Sequence, residues 1–438
     1  MAILTRDEAK AILTKVLGYS KAESCTAMLG GGNGGNIRYA RNSVTTSGVT
    51  TELELAVESQ FGKRSGVATI TELDDDSLRK VAKRADDLAK LAPENPELMP
   101  ILGPQTYVDV PAWSDATANI DPAFRAAAAA KSINPSRSKD LVAAGYLEDQ
   151  AGFSSMMNSK GLFGYHRETS AEFSVTVRTQ DGTGSGWVSR DVNDVGKLDL
   201  GVASNVAIDK AVLSREPRAI EPGKYTVILE PSAALGLLQY LIFSMDARQA
   251  DEGRSFLSKP GGGTKLGEKI VDERVTLYSD PLHPDIPTAP WGGDGLPRKK
   301  INWIEKGVVK NLFYSRYWAQ KNDKEPVPFP GTGIMVGGNA DTAELVKSTK
   351  RGILVTRTWY IRMVDPQTIL LTGLTRDGTF FIENGKIAFP IKNMRFNESP
   401  VIMLNNLEAL GTPVRTDGAM VPPLKIRDFT FSSLSDAV

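Results

Sequence analysis

The residue types best suited to metal and nucleophilic chemistry are scarce in this sequence. Its 438 residues include two histidines, His166 and His283, and one cysteine, Cys25. A structural zinc site needs about four Cys or His ligands, and a hydrolytic triad needs a histidine beside its nucleophile. An intrachain disulfide and a structural zinc site are therefore excluded. We interpret both histidines as structural residues and Cys25 as a small buried hydrophobe.

Charged and polar side chains form two groups that could line a cleft. The first group, Asp251, Glu252 and Arg254, directly follows an apolar segment, and the second lies on later predicted strands. The second group consists of Arg357, Tyr360, Arg376, Asp377, Arg395 and Glu398. Guanidinium groups can hold a peptide carboxylate or carbonyl through two hydrogen bonds. Two interpretations stay open: an ion-pair network that ties a helix end to its loop, and the polar wall of a peptide cleft.

A glycine-rich stretch at residues 30–35 satisfies the spacing G-x-G-x-x-G. A dinucleotide site of this type requires a helix immediately afterwards, whose N-terminus meets the pyrophosphate. The residues from Asn36 onward have the pattern of a strand instead. We therefore predict a glycine-rich hairpin without a nucleotide.

The elements that would position these residues suggest two boundaries. A capping box at Thr5 and the carboxylates after Asp74 predict helices on either side of period-two strands at residues 24–70. Five prolines between residues 93 and 111 indicate a connector, and a second boundary falls near residue 220. We predict an N-terminal α+β domain (1–100), a middle α+β segment that packs with the N-terminal lobe (112–218), and a C-terminal β-rich domain (220–438).

The C-terminal part combines one apolar helix with many short strands. Residues 232–245 are apolar nearly all round, which is typical of a helix enclosed by protein. Strand patterns follow, among them residues 308–314, and turns are predicted at Asp377-Gly378 and Asn384-Gly385. The predicted fold class is α+β, with an N-terminal α/β lobe built on an antiparallel sheet and a C-terminal β-rich domain around a buried helix.

Composition and charge restrict the class of partner. The 52 basic residues equal the 52 acidic ones, and hydrophobic residues make up 41%. A neutral chain has no general attraction for nucleic acid or an anionic membrane. No apolar run approaches the roughly 20 residues that span a bilayer. We expect a cytoplasmic protein without nucleic-acid or membrane partners.

The order of several short motifs resembles the TldD/PmbA (TldE) family. These are the strand at 225–229 with its apolar helix, the sequence from Asp251 to Leu257, Asp280-Pro281, and the motifs at 158–161, 372–373 and 382–386. The resemblance implies a two-lobed subunit that is usually paired with another. In catalytic members the helix carries His-Glu-x-x-x-His, and a later cysteine completes a zinc site that cleaves peptides. The family's old label as a modulator of DNA gyrase implies no DNA contact here.

This sequence departs from the family at the zinc motif. The corresponding positions are Gln239, Tyr240 and Ser244, and no cysteine lies near residues 413–418. Zinc needs imidazole or thiolate ligands and a carboxylate base for its water. We therefore expect no catalytic residue and no metal in this chain, with zinc only in a TldD-like catalytic partner. The chain would then be a non-catalytic subunit that helps to bind a peptide or unfolded protein.

Two other hypotheses remain open at this point. The chain could be a stand-alone homodimeric peptide-binding protein that has lost the hydrolase role. It could also be a hydrolase without metal, in which Asp251, Glu252 or Tyr240 acts as acid or base.

Overall fold

A computed structural model describes residues 3–435 of the chain, and its N-terminal lobe is built on one antiparallel sheet. The strands lie in the order β3-β2-β1-β4-β5-β6. The elements of this lobe are α1 (Arg6–Tyr19), β1 (Ser24–Ala40), β2 (Ser43–Phe61), β3 (Arg64–Ile70), α2 (Asp75–Leu91), α3 (Asp115–Ala118), α4 (Pro122–Ser138), β4 (Leu141–Asn158), β5 (Phe163–Thr179), β6 (Ser185–Val192), a 3₁₀ turn (Val195–Lys197) and α5 (Leu200–Leu213).

The N-terminal sheet contains strands from both sides of the proline-rich connector. Strand β1 pairs with β2 on one edge and with β4 on the other, so residues 24–70 and 141–192 share one layer. The predicted capping box begins α1: the Thr5 hydroxyl accepts from the Glu8 amide, and the Glu8 carboxylate accepts from the Thr5 amide. Helices α1 and α2 cover one end of the sheet face through Leu13 and Val81, both buried.

The C-terminal lobe contains two further sheets. Their strand orders are β10-β9-β8-β11-β18-β17 and β12-β7-β19-β15-β13-β14. The elements are β7 (Gly223–Leu229), α6 (Pro231–Phe243), α7 (Ala247–Asp251), β8 (Leu277–Ser279), β9 (Ile301–Glu305), β10 (Val308–Val309), α8 (Arg316–Lys321), β11 (Ile334–Met335), α9 (Thr342–Lys347), β12 (Arg351–Asp365), β13 (Leu370–Glu383), β14 (Lys386–Pro390), β15 (Met394–Glu398), α10 (Pro400–Asn405), β16 (Leu407–Leu410), β17 (Val414–Thr416), β18 (Ala419–Val421) and β19 (Leu424–Leu434).

Helix α6 is the buried helix of the C-terminal lobe. Leu237, Leu238 and Leu241 are at most 1% exposed and share a core with Trp303 and Phe396. A glycine at position 236 allows α6 to approach β12, since a Cβ there would lie 2.1 Å from the Thr358 hydroxyl. The α+β class, with an antiparallel N-terminal sheet and a β-rich C-terminal region, is confirmed.

Three local predictions were wrong. Residues 30–35 lie inside β1 and form no hairpin, because the flanking strands approach so closely that a Cβ at Gly32 would lie 2.5 Å from the Ala151 carbonyl oxygen. Asp377 and Gly378 lie within β13 and together face Thr356, so their positive φ angles form a β-bulge rather than a turn. The strand predicted at 308–314 is limited to Val308–Val309. The Asn384-Gly385 turn is confirmed.

No helix within residues 3–435 combines the length and apolarity that a membrane span requires.

Candidate functional site

We predict that Gln239, Tyr240 and Ser244 correspond to the zinc-motif positions; the first two lie in the second half of α6, and Ser244 directly follows the helix. The Tyr240 hydroxyl donates to the Ile361 carbonyl oxygen at 3.0 Å, and the Gln239 amide donates to the Gly236 carbonyl oxygen at 3.3 Å. Ser244 is the C-cap of the helix, and its backbone amide donates to the Tyr240 carbonyl oxygen at 3.1 Å. Two of the three side chains are thus engaged with the protein's own backbone.

These residues do not fit a zinc ion. An amide, a phenol and a hydroxyl provide neither the imidazole nor the thiolate that zinc prefers, and none of them replaces the carboxylate base. Within residues 3–435, no group of three His, Cys, Asp or Glu side chains is arranged to hold a metal. The segment 413–418 approaches the other end of α6, where the hydroxyls of Thr416 and Ser232 are 2.9 Å apart.

Aromatic side chains flank the exposed end of α6. Phe243 is 56% exposed and stacks on Phe329, with ring centroids 5.7 Å apart. Phe313 meets the edge of Phe329 at 5.4 Å. Tyr360, which precedes the Ile361 residue that Tyr240 contacts, is 64% exposed and has a positive φ angle of 53°. Exposed aromatic side chains therefore lie near the end of α6.

The structure brings Arg357, Arg376 and Asp377 together at the boundary between the lobes. The Asp377 carboxylate is 3.3 Å from the Arg357 guanidinium and 3.7 Å from that of Arg376. It also accepts a hydrogen bond from the Ser185 hydroxyl of β6 at 2.7 Å. Burial lowers the pKa of Arg357, and Asp377 opposes that effect. The single carboxylate of Asp377 therefore contacts two guanidinium groups in a poorly hydrated place.

Sequence reasoning missed Trp187 in this cluster. The Arg357 guanidinium lies between the rings of Trp187, at 4.2 Å, and Trp359, at 4.6 Å. Arg376 packs on the same Trp359 ring at 4.9 Å. The stack joins β6 of the N-terminal lobe to β12 of the C-terminal lobe. Because Trp187 and Arg357 are far apart in the chain, no local sequence signal could have paired them.

The group at the exit of α7 forms an ion-pair network. The Glu252 carboxylate accepts from Arg248 at 3.0 Å and also binds Arg254, and both arginines lower its pKa. Arg248 also binds Glu97 of the connector through two hydrogen bonds, at 2.8 and 2.9 Å. Asp251 accepts from the Trp318 indole at 2.8 Å. These bonds are the ones expected of an ion-pair network that ties a helix end to its loop. A role of the same residues in a peptide cleft stays a prediction.

The remaining predicted cleft residues lie apart from these two groups. Arg395 is exposed on β15. Glu398 is buried at the end of the same strand, and its carboxylate accepts from the backbone amides of Ser399 and Thr430. Burial raises the pKa of Glu398 more than these bonds lower it. Nearby, the guanidinium of Arg362 packs on the Tyr360 ring, 4.4 Å from its centroid.

A cavity of about 260 Å³ lies between the lobes at the start of α6. Arg190 and Lys210 reach it from the N-terminal lobe, and Glu230 and Ser232 from the C-terminal lobe. Lys210 pairs with Glu230, and loss of solvent lowers the pKa of Arg190. Asp341 also lines the cavity, so two positive and two negative groups balance, and the cavity has no marked preference for an ion of either sign.

The two histidines and the cysteine lie apart from α6. His166 is 5% exposed and meets the edge of Trp291, with ring centroids 6.3 Å apart. His283 accepts from the Asp285 amide at 3.2 Å within a turn. Burial raises the pKa of the Cys25 thiol, which disfavours the reactive thiolate.

Comparisons with known proteins agree with this architecture. Residues 115–215 match the PmbA/TldA metallopeptidase central domain, and residues 222–433 match its C-terminal domain. The chain is 22% identical over 398 residues to metalloprotease PmbA of Escherichia coli O157:H7, which covers 85% of each chain. A metalloprotease of Methanothermobacter thermautotrophicus is also 22% identical, over 61% of this chain and 62% of the relative.

A solved structure has the same fold over nearly the whole chain. TldE from Thermococcus kodakarensis superimposes with a TM-score of 0.87 at 17% identity, covering 97% of this chain and 99% of the other. The fold and the two domain matches define a two-lobed protein of the metallopeptidase-related class. The two domain matches, which lie next to each other along the chain, identify it further: the chain belongs to the TldD/PmbA family.

Proposed function

We propose that this chain is a zinc-less subunit of a peptidase, which helps a zinc-bearing partner of the same family to bind its peptide substrate in the cytoplasm. The proposal rests on the residue types and the hydrogen bonds at the end of α6. Gln239, Tyr240 and Ser244 are the residues that we predict at the three motif positions, and the Tyr240 and Gln239 side chains are bonded to backbone carbonyl oxygens. Side chains that are bonded in this way provide neither a zinc ligand nor a base for a metal-bound water.

The preserved fold supports a role beside a catalytic subunit. The structural similarity to a protein named TldE covers both lobes, with a TM-score of 0.87, although the sequence identity is only 17%. Exposed aromatic groups such as Phe243 and Tyr360 lie beside the replaced motif. Such groups contribute strongly to peptide and subunit interfaces.

The test combines metal analysis with reconstitution. The purified chain is examined for zinc by mass spectrometry and for cleavage of an unfolded-protein substrate. It is then mixed with a family member that carries His-Glu-x-x-x-His. We expect no stoichiometric zinc and no cleavage by the chain alone, and at least about tenfold faster cleavage by the mixture than by the partner alone.

The control is the same mixture with the glutamate of the partner's motif replaced by glutamine, which should cleave nothing. Cleavage or bound zinc in the lone chain would overturn the proposal. If the lone chain binds peptide as a homodimer and leaves the partner's rate unchanged, the stand-alone binding role replaces it.

A further inference from the structure

An open trough on the N-terminal sheet has an unusually bare floor. Its volume is about 940 Å³, and it runs across β2, β1 and β4. Gly30, Gly32 and Gly34 of β1 leave its centre without side chains, and Trp291 closes one end from the C-terminal lobe. A bound chain could therefore come close to the sheet surface.

Among the described residues that line the trough, Glu52 and Glu54 are the charged ones. They lie two residues apart on β2, so both point to the same face and are about 7 Å apart along the strand. Both are exposed, and within residues 3–435 neither carboxylate has an ion-pair partner. The side of the trough formed by β2 thus carries two negative charges without a positive partner.

The same part of β2 has a free edge. Strand β3 pairs with β2 only from Leu55 to Phe61, so among the described strands none covers the outer edge of residues 43–54. Every residue from 43 to 52 is exposed, and residues 43–51 contain no charge and no proline. Natural edge strands usually carry lysine or proline to prevent pairing with another chain. This edge lacks both protections over nine residues.

We propose that the free edge of β2 binds an extended peptide with basic residues at alternate positions, whose side chains face Glu52 and Glu54. An added strand places every second side chain on the trough face, directly opposite those two carboxylates. Backbone hydrogen bonds supply affinity for any sequence, and the carboxylates select Lys or Arg at positions i and i+2. This inference rests on the proposed peptide-binding function and names the class of peptide.

Three fluorescent eight-residue probes in a Thr/Val background test the spacing. One carries two lysines at alternate positions, one carries two adjacent lysines, and one carries two glutamates at alternate positions. We expect the full-length chain to bind the alternating-lysine peptide about three- to tenfold more tightly than either of the others, by fluorescence anisotropy at low salt. Hydrogen exchange of residues 43–54 should slow on binding.

Charge variants locate the effect. The double variant E52Q/E54Q should abolish the preference, and E52K/E54K should reverse it in favour of the glutamate peptide. The control D323N/E325Q removes two exposed charges with the same spacing from the loop after α8 and should keep the preference.

Each other outcome has a defined meaning. Equal affinity for the three peptides would overturn the β2 site and leave the proposed function intact, whereas binding of none would contradict both. Protection of other residues instead of 43–54 would also overturn this location. If light scattering shows that a second copy covers the edge, and E52Q/E54Q leaves peptide binding unchanged, the edge is a subunit interface and the inference is wrong.

Discussion

The hydroxyl of Tyr240 donates a hydrogen bond to the backbone carbonyl oxygen of Ile361, 3.0 Å away. The resemblance to catalytic members of the family predicts that this position corresponds to the glutamate of their zinc motif. Here the side chain fastens α6 to β12, which the Thr358 hydroxyl also does by donating to the Ala233 carbonyl oxygen at 3.3 Å. The residue that we predict at a catalytic position of the family thus contributes to packing in this chain.

Replacing Tyr240 by Phe should lower the free energy of unfolding by at most about 1 kcal/mol, because the Ile361 carbonyl oxygen loses one of its two donors and keeps the Arg362 guanidinium at 2.9 Å. Urea titration measures the change. The matched control is Tyr225→Phe, since the Tyr225 hydroxyl donates to the exposed Glu221 carbonyl oxygen, which water can satisfy. A loss in Y225F as large as that in Y240F would argue against the role of α6 packing.

Restoring the motif should not restore a zinc enzyme. The triple variant Q239H/Y240E/S244H supplies two imidazoles and a carboxylate, but no cysteine or histidine is present in residues 413–418 to act as third ligand. Two ligands hold zinc weakly. We expect micromolar or weaker binding in equilibrium dialysis and no peptide cleavage, with Q239H/S244H as the comparison that retains the Tyr240 bond. Tight stoichiometric zinc in the triple variant would show that the chain has another ligand.

Most regular elements could be predicted from local sequence patterns. The capping box at Thr5, the carboxylates after Asp74 and the apolar residues of α6 each determine a local structure through contacts within a few residues. The same is true of the Asn384-Gly385 turn. For these elements local preference and tertiary packing favour the same conformation.

The errors arose where packing between distant strands decides the conformation. Asp377-Gly378 has the composition of a turn. The pairing of β13 with β12 nevertheless continues past these two residues, so their positive φ angles belong to a β-bulge. The glycines at 30–35 likewise serve close strand pairing on both edges of β1. The candidate site shows the same limit: the motif positions on α6 follow from one segment, but the contact of Trp187 with Arg357 depends on how the two lobes meet.

Asp377 should be the most sensitive of the predicted cleft residues. Replacing it by Ala leaves the Arg357 guanidinium, whose side chain is only 14% exposed, without its carboxylate, which should cost about 3 kcal/mol of unfolding free energy. Asn should cost less, because it keeps the volume, accepts from Ser185 and tolerates the φ angle of 55°.

Asp428→Ala is the matched control for D377A. Asp428 has a φ angle of 56° and pairs with Arg427 at 3.5 Å, but its side chain is 54% exposed. Exposed pairs contribute roughly 0–1 kcal/mol. Equal losses in D377A and D428A, measured by urea unfolding, would mean that backbone strain at the positive φ angle, and not the buried charge pair, explains the effect.

A row of like charges across the N-terminal sheet should make stability depend on pH. Glu172 lies directly opposite Glu148 of β4 and Asp191 of β6. Loss of solvent around its carboxylate raises the pKa of Glu172 above the ordinary 4.5, and Asp417, Asp191 and Glu148 raise it further. The folded protein therefore holds this proton more tightly than the unfolded chain does.

The sign of the effect follows from that difference. The stabilising contribution of protonated Glu172 is complete below the unfolded pKa of about 4.5 and is lost as pH rises through the higher folded pKa. Glu172→Gln removes the repulsion at neutral pH and should add only roughly 0.2 kcal/mol of unfolding free energy near pH 7, because residue 172 is exposed and solvent screens its charge, but nothing near pH 3.5. The exposed Glu325→Gln variant, which has no like charge opposite it on a strand, should change stability equally little at both pH values. A gain in E172Q that is the same at both pH values would indicate that side-chain packing, rather than charge repulsion across the sheet, causes it.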